Sequence, residues 1–161
     1  MRQTEKFIIK ETKFLHQRNK GLFASIYIQK GEIILQCTGK KISFQEAVKK
    51  EDRESDALQI GDKEYIDFEE PGVIVNHSCD PNAGINENLE LIAIKDISPG
   101  EEIKYAYSTT MDEDHWTMKC LCQKENCRFI IRDFKYLPEE LKSKYLTLGI
   151  VLPLIANAYL R

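Results

Sequence analysis

Three cysteines fall within eight residues, Cys120-Leu121-Cys122-Gln123-Lys124-Glu125-Asn126-Cys127, and this crowding constrains the fold more than any other feature of the chain. The spacing lets one loop wrap a tetrahedral ion but supplies three ligands, whereas a closed structural zinc site takes four. A fold that closes such a site must carry a fourth ligand to the loop. Cys79 is the best candidate, because the remaining cysteine, Cys37, ends the strand-like run Ile33-Ile34-Leu35-Gln36-Cys37 and reads as a small buried hydrophobe. His115 is an alternative fourth ligand, and ordinary thiols without metal are the plainer reading. With zinc in place, the C-terminal segment is tied to a loop much earlier in the chain, and the ion contributes to folding.

That earlier loop, Val75-Asn76-His77-Ser78-Cys79-Asp80-Pro81-Asn82, is itself dense in chemistry. Asn76 and His77 offer polar side chains to a pocket, and Asp80-Pro81 biases the backbone away from helix. Ser78 lacks a Gly-x-Ser-x-Gly setting, so hydrolase chemistry is not expected. A lone histidine in a turn is more often a structural hydrogen-bonder than a catalyst, and His77 is not cast as a base.

The chain has 161 residues, 42% of them hydrophobic and 30% charged, which suits one globular domain. Its net charge of −3 disfavours a nucleic-acid partner, which needs a basic surface, and fits a basic peptide better. Acidic runs at Glu51-Asp52-Arg53-Glu54 and Asp112-Glu113-Asp114 either steer a lysine-rich partner or are solvated surface. Met1 to Lys10 holds no apolar core of signal-peptide length, so an intracellular, cytoplasmic protein without disulfides is expected. The tail from Leu146 to Leu160 is the most apolar stretch, but Pro153 breaks it and it is too short to span a membrane. It is expected to pack on its own domain, with a homodimer as the alternative.

Local grammar points to a mainly β chain. Phe7-Ile8-Ile9 and Gly21 to Ile28 read as strands joined through Lys10 to Lys20, and Gln29-Lys30-Gly31 turns into Glu32 to Cys37 as a hairpin-like step. Ile97-Ser98-Pro99-Gly100-Glu101-Glu102-Ile103 repeats that Gly-Glu-x-Ile pattern, with Pro99-Gly100 suited to a type II turn. The echo reads as shared turn chemistry. Ser43-Phe44-Gln45-Glu46 has the form of a capping box and predicts a short helix to about Lys50. Strands on either side of Gly61-Asp62-Lys63 and of Asn86-Glu87-Asn88 are expected, and Pro138 suits the first turn of a helix.

Three segments in order, Asn76-His77-Ser78-Cys79-Asp80-Pro81-Asn82, Gly100-Glu101-Glu102-Ile103-Lys104-Tyr105-Ala106-Tyr107 and Cys120-x-Cys122-x4-Cys127, resemble the SET-domain protein lysine methyltransferases, in a small single-domain form with a post-SET cysteine motif. Lys20-Gly21-Leu22-Phe23-Ala24 is similar to the family's N-terminal glycine motif, and with Lys30-Gly31-Glu32 the resemblance spans roughly residues 6 to 132. It implies a mainly β, β-clip-like SET fold with a knot-like active site, short helices and a helical C-terminal tail. The divisions expected are a SET domain over 1–119, a zinc-binding post-SET segment over 120–132 and the tail over 133–161. In the family the post-SET cysteines share one zinc with the cysteine of the Asn-His-Ser-Cys motif, which agrees with Cys79, Cys120, Cys122 and Cys127. By the same resemblance S-adenosylmethionine is expected near Lys20, Gly21, Leu22, Phe23, Asn76, His77 and Tyr107, and Tyr107 also matches the family's catalytic tyrosine. Two departures stand out: Val73-Ile74-Val75 where Arg-Phe-Ile is common, and Ala106 where Asp is common.

Methyl transfer to lysine has its own physical demand. The amine must be neutral, yet its free pKa is about 10.4, so deprotonation at pH 7 costs roughly 4 to 5 kcal/mol. Burial beside a sulfonium lowers that pKa, and hydroxyls and carbonyls then orient the nitrogen lone pair. Tyr107 is expected to supply the hydroxyl, Tyr65 a second tyrosine of the channel, and Tyr105 a brake on the number of methyl groups. The expected function is therefore mono- or dimethylation of a lysine in a protein or peptide. A catalytically weak, zinc-holding interaction module is the alternative.

Overall fold

The computed structural model describes residues 5–12, 19–50 and 56–160, so the acidic run Glu51-Asp52-Arg53-Glu54 lies outside the described residues. In chain order the strands are β1 (Phe7–Glu11), β2 (Lys20–Ala24), β3 (Ile33–Gln36), β4 (Gly39–Ser43), β5 (Ala57–Gly61) and β6 (Glu64–Phe68). They continue as β7 (Asn76–His77), β8 (Ala83–Ile85), β9 (Glu90–Ala93), β10 (Glu102–Tyr105), β11 (Met118–Lys119) and β12 (Ile130–Ile131). The strands form small sheets ordered β1-β2-β10-β7, β3-β9-β8, β4-β6-β5 and β11-β12. Helix α1 (Phe44–Val48) follows β4, while α2 (Glu139–Thr147) and α3 (Pro153–Ala156) form the tail.

Several elements follow directly from local chemistry. Ser43 caps α1, its side chain accepting from the Glu46 N–H while the Glu46 carboxylate accepts from the Ser43 N–H, the reciprocal box read from the sequence. Two hairpin-like connections also lie where expected, joining β5 to β6 and β8 to β9.

Two expectations need correction. The strand expected over Gly21 to Ile28 ends at Ala24, and Ile28 instead bridges Ile97. Strand β3 does not fold back as a hairpin on β2 but pairs antiparallel with β9, Gln36 opposite Glu90. The reason lies in the repeated Gly-Glu turns. Glu32 N–H bonds Gln29 O at 3.0 Å, Glu101 N–H bonds Ser98 O at 3.1 Å, and Gly31 and Gly100 adopt φ of 93° and 88°, as type II turns require. Each turn clamps an alanine of the other segment. Ala93 is held between Gly31 N–H (2.8 Å) and Glu32 O (2.9 Å), and Ala24 between Gly100 N–H (2.8 Å) and Glu101 O (2.9 Å). The echo is thus reciprocal long-range pairing about the Ile28–Ile97 bridge, and it takes β3 away from its neighbour in sequence.

Leu22, Ile28, Ile85, Leu91, Ile97 and Ile103 are buried in the main core between these sheets. A second cluster joins Phe134, Tyr145, Ile150, Val151 and Ile155 of the tail segment to Ile94 and Ala106, so the tail packs on its own domain. Ala106 is 1% exposed in this apolar setting. A carboxylate there would need a buried partner, which accounts physically for the missing Asp. Among the described residues no helix is long and apolar enough to cross a membrane.

Gly84 of β8 marks a close approach of sheet and tail, since a Cβ there would sit 2.5 Å from Ile150 Cγ2. Gly84→Ala is expected to destabilise the chain by about 1–3 kcal/mol through overpacking. Thermal unfolding checks this, and combining it with Ile150→Ala should cost less than the sum of the single changes.

Candidate active site

Strand β10 brings two separate segments together. It pairs antiparallel with β2, Ile103 opposite Leu22, and parallel with β7, Lys104 opposite Asn76 and Tyr105 opposite His77. Ser78 N–H then reaches Tyr105 O at 3.1 Å. Asn76 spends both amide protons inside this sheet, donating to Lys20 O and Glu102 Oε1 at 2.8 Å each. Its Oδ1 is the end left to accept from a ligand. Gly21 is small for the same reason, because a Cβ there would collide with the Glu102 carboxylate.

His77 is fully buried and joins two chemistries. Its Nδ1 accepts the Tyr107 N–H at 3.0 Å, and its Nε2 lies 3.4 Å from Cys79 Sγ. A backbone N–H can only donate, so Nδ1 is the bare nitrogen and Nε2 carries the proton toward sulfur. The Tyr107 hydroxyl in turn donates to Val75 O at 2.7 Å.

Beside these residues opens a narrow channel of about 40 Å³, walled by Tyr65, Tyr105, Tyr107, Phe44, Met111 and Trp116. The rings of Tyr105 and Tyr107 stand 4.8 Å apart. Burial pushes the Tyr105 phenol well above its ordinary range. Burial does the same to Tyr65, aided by the Glu113 carboxylate that accepts a hydrogen bond from its O–H. Both phenols therefore remain protonated at neutral pH.

The sulfurs of Cys79, Cys120, Cys122 and Cys127 all lie within 4.8 Å of one another. Cys79 and Cys120 are 3.6 Å apart, against about 3.8 Å for thiolates at 2.3 Å from one tetrahedral zinc. The donor set and spacing fit zinc, and all four residues would hold it. Burial raises the Cys79 and Cys120 thiols. Burial also opposes ionisation of Cys122, but backbone N–H groups of Cys79 and Lys124 and the neighbouring thiols outweigh it and bring Cys122 down to about 7. His115 stands elsewhere, edge-on to Phe44 at 5.4 Å, and is not part of the cluster. Cys37 is buried, its thiol pushed up to about 12 by burial, in keeping with a packing role.

The structure brings Lys20, Gly21 and Asn76 to one edge and Tyr65, Tyr105 and Tyr107 to one channel. Leu22 is different. Its side chain is fully buried in the core, which leaves only its backbone to meet a ligand. Phe23 is half-buried, with Lys10 Nζ 5.4 Å from its ring centroid. Ser78 is buried and its Oγ accepts the Asp80 N–H, a turn role. Sequence reasoning missed Phe44, Trp116 and Glu113 as channel residues. The chain's single Trp, just before the cysteine loop, was the one available signal. Nor is Asp112-Glu113-Asp114 simply solvated surface, since Glu113 meets Tyr65 and Asp114 binds Lys135 and Tyr136.

The family model described as SET domain matches residues 19–108. A Caenorhabditis briggsae protein described as "Probable histone-lysine N-methyltransferase set-23" is 34% identical over 145 residues, 76% of this chain and 57% of that protein. The Saccharomyces cerevisiae "Histone-lysine N-methyltransferase, H3 lysine-4 specific" is 29% identical over 128 residues, 68% of this chain and 12% of that protein. The chain spans less than two thirds of the length of either relative. In fold it is similar to "ctPRC2 in an autoinhibited conformation bound to S-adenosylmethionine", with a TM-score of 0.57 and 24% identity over 69% of this chain and 16% of that one. "Chaetomium thermophilum Polycomb Repressive Complex 2 bound to GSK126" gives 0.56 and 25% over 69% and 17%.

The cysteine cluster predicts uptake of one zinc per chain, measured by elemental analysis after reconstitution. Cys79→Ser is expected to weaken metal retention against a chelator and to lower the unfolding midpoint, whereas His115→Ala should leave zinc content unchanged.

Proposed function

The chain belongs to the SET-domain family, and on that premise we propose that it transfers methyl groups from S-adenosylmethionine to a lysine side chain of a protein, one or two per lysine. The observation that carries this reading is the Tyr107 hydroxyl, fixed by its bond to Val75 O at the wall of an aromatic channel and anchored through its own N–H to His77.

When bound, S-adenosylmethionine supplies an electrophilic methyl on a sulfonium. The residues of the chain do the rest. Asn76 Oδ1 is positioned to accept from an ammonium group, and the backbone of Lys20 to Phe23 lies beside it. Phe44, Tyr65, Tyr105, Tyr107 and Trp116 line a narrow aromatic channel suited in character to an aliphatic stem, where desolvation favours the neutral amine. With its proton committed to Val75, the Tyr107 oxygen accepts an N–H from the amine and aims the nitrogen lone pair, a contribution by orientation and not by covalent chemistry. Tyr105 is 5% exposed at the same wall. Its phenol occupies space and can hold a water where a further methyl group would sit, which supports mono- or dimethylation. The thiol cluster, through Cys79 and His77, holds the Tyr107 segment in place.

Zinc-loaded protein incubated with labelled S-adenosylmethionine and purified core histones tests the reading. Tyr107→Phe should lose most turnover, a fall of at least about a hundredfold, while keeping affinity for the cofactor. An unchanged rate would remove Tyr107 from the mechanism. Mass spectrometry of the product should find mono- and dimethyllysine, and predominant trimethyllysine would contradict the part given to Tyr105.

A further inference from the structure

Tyr107 and Tyr65 share the channel, and each donates its phenol O–H in a hydrogen bond, Tyr107 to Val75 O and Tyr65 to Glu113 Oε2. A phenol has one proton and two lone pairs, so with the O–H engaged each oxygen can act only as an acceptor, and both tyrosines line the channel. Glu113 is braced for this. Its N–H and that of Asp114 both donate to Asp133 Oδ2, at 2.9 Å and 2.8 Å. From the other side Gln59 grips Asp112, its Oε1 accepting the N–H at 2.8 Å and its Nε2 donating to the carbonyl at 3.2 Å. Asp133 and Gln59 are 3% and 4% exposed, so two buried polar side chains from distant segments fix one short acidic loop. A solvated acidic run needs no such bracing.

Resting on the lysine methyltransferase reading above, we propose that Glu113 is the positioning residue that holds Tyr65 as a hydrogen-bond acceptor toward the target amine and so limits how many methyl groups that amine receives. A neutral lysine amine has one lone pair, which must point at the incoming methyl, and two N–H bonds. Tyr65 and Tyr107 can each accept one. Monomethyllysine retains a single N–H and dimethyllysine none, so the grip weakens with every transfer. Without Glu113 the Tyr65 proton is free to swing into the channel and donate to the nitrogen lone pair, occupying the electrons that form the new bond.

The test compares zinc-loaded wild type, Glu113→Ala, Glu113→Gln, Tyr65→Phe and the Tyr65→Phe/Glu113→Ala pair, using labelled S-adenosylmethionine with core histones and whole-cell protein extract. Glu113→Ala should lower kcat/KM about tenfold and shift products toward higher methylation states. Glu113→Gln, whose Oε1 still accepts the phenol proton, should keep the wild-type product ratio. In the Tyr65→Phe background, Glu113→Ala should change nothing further, whatever its separate effect on folding read from melting curves and zinc content. Additive effects in an active wild-type background, or a Gln variant that behaves as Ala does, would overturn the inference alone. A folded wild type that methylates neither probe would overturn the underlying reading and this inference with it.

Discussion

The buried His77 ring is the link on which the site depends. Its Nδ1 accepts the Tyr107 N–H and its Nε2 faces Cys79 Sγ, so one imidazole fixes the channel tyrosine to the thiol cluster. The contact to Tyr107 follows from β7 and β10 lying side by side in parallel, Tyr105 opposite His77. Parallel strands cannot be joined by a tight turn, and here the connection between them is the β8–β9 hairpin and the Pro99-Gly100 turn. The three-stranded β3-β9-β8 sheet is therefore the scaffold that lets residues 76–78 and 104–107 meet.

Energetically the cores hold this arrangement and the polar contacts aim it. A fully buried Leu or Ile contributes about 1.5–3 kcal/mol, while an exposed ion pair such as Lys95–Asp80 contributes about 0–1 kcal/mol. The main core rests on Leu22, Ile28, Ile85, Leu91, Ile97 and Ile103. The tail adds a second core through Ile150 and Tyr145, and it covers the residue between the two channel tyrosines, Ala106. Departure from the common Asp at that position thus follows from what packs over it. The tail is part of the support for the site and not an appendage.

Much of this was legible in the sequence, and the pattern of what was not is instructive. Local signals served where one segment decides its own structure, as in the Ser43–Glu46 capping box, the turn at Gly100 and the three thiols of one loop. Cys79 was found as the fourth sulfur because the alternatives were few and Cys37 read as strand. Pairing partners escaped, because β3 has the same local pattern whether it meets β2 or β9, and the decision belongs to the reciprocal clamps on Ala24 and Ala93. The channel wall escaped for a related reason. Phe44 and Trp116 come from distant segments, and no spacing rule relates them to each other or to Tyr65, the one wall residue outside the Tyr105–Tyr107 segment that the sequence offered. Leu22 lies in a recognisable motif, yet its side chain faces the core, a distinction that strand alternation sets and a motif does not.

The central claim is that the edge formed by Lys20, Gly21 and Asn76, beside the Tyr107 channel, is a cofactor site. Calorimetric titration of folded, zinc-loaded protein with S-adenosylmethionine addresses it most directly. The account predicts saturable binding at one site per chain, weakened when Asn76 is replaced by Ala. Absence of binding to protein that is folded and carries its zinc would contradict it and leave a metal-stabilised interaction module in its place.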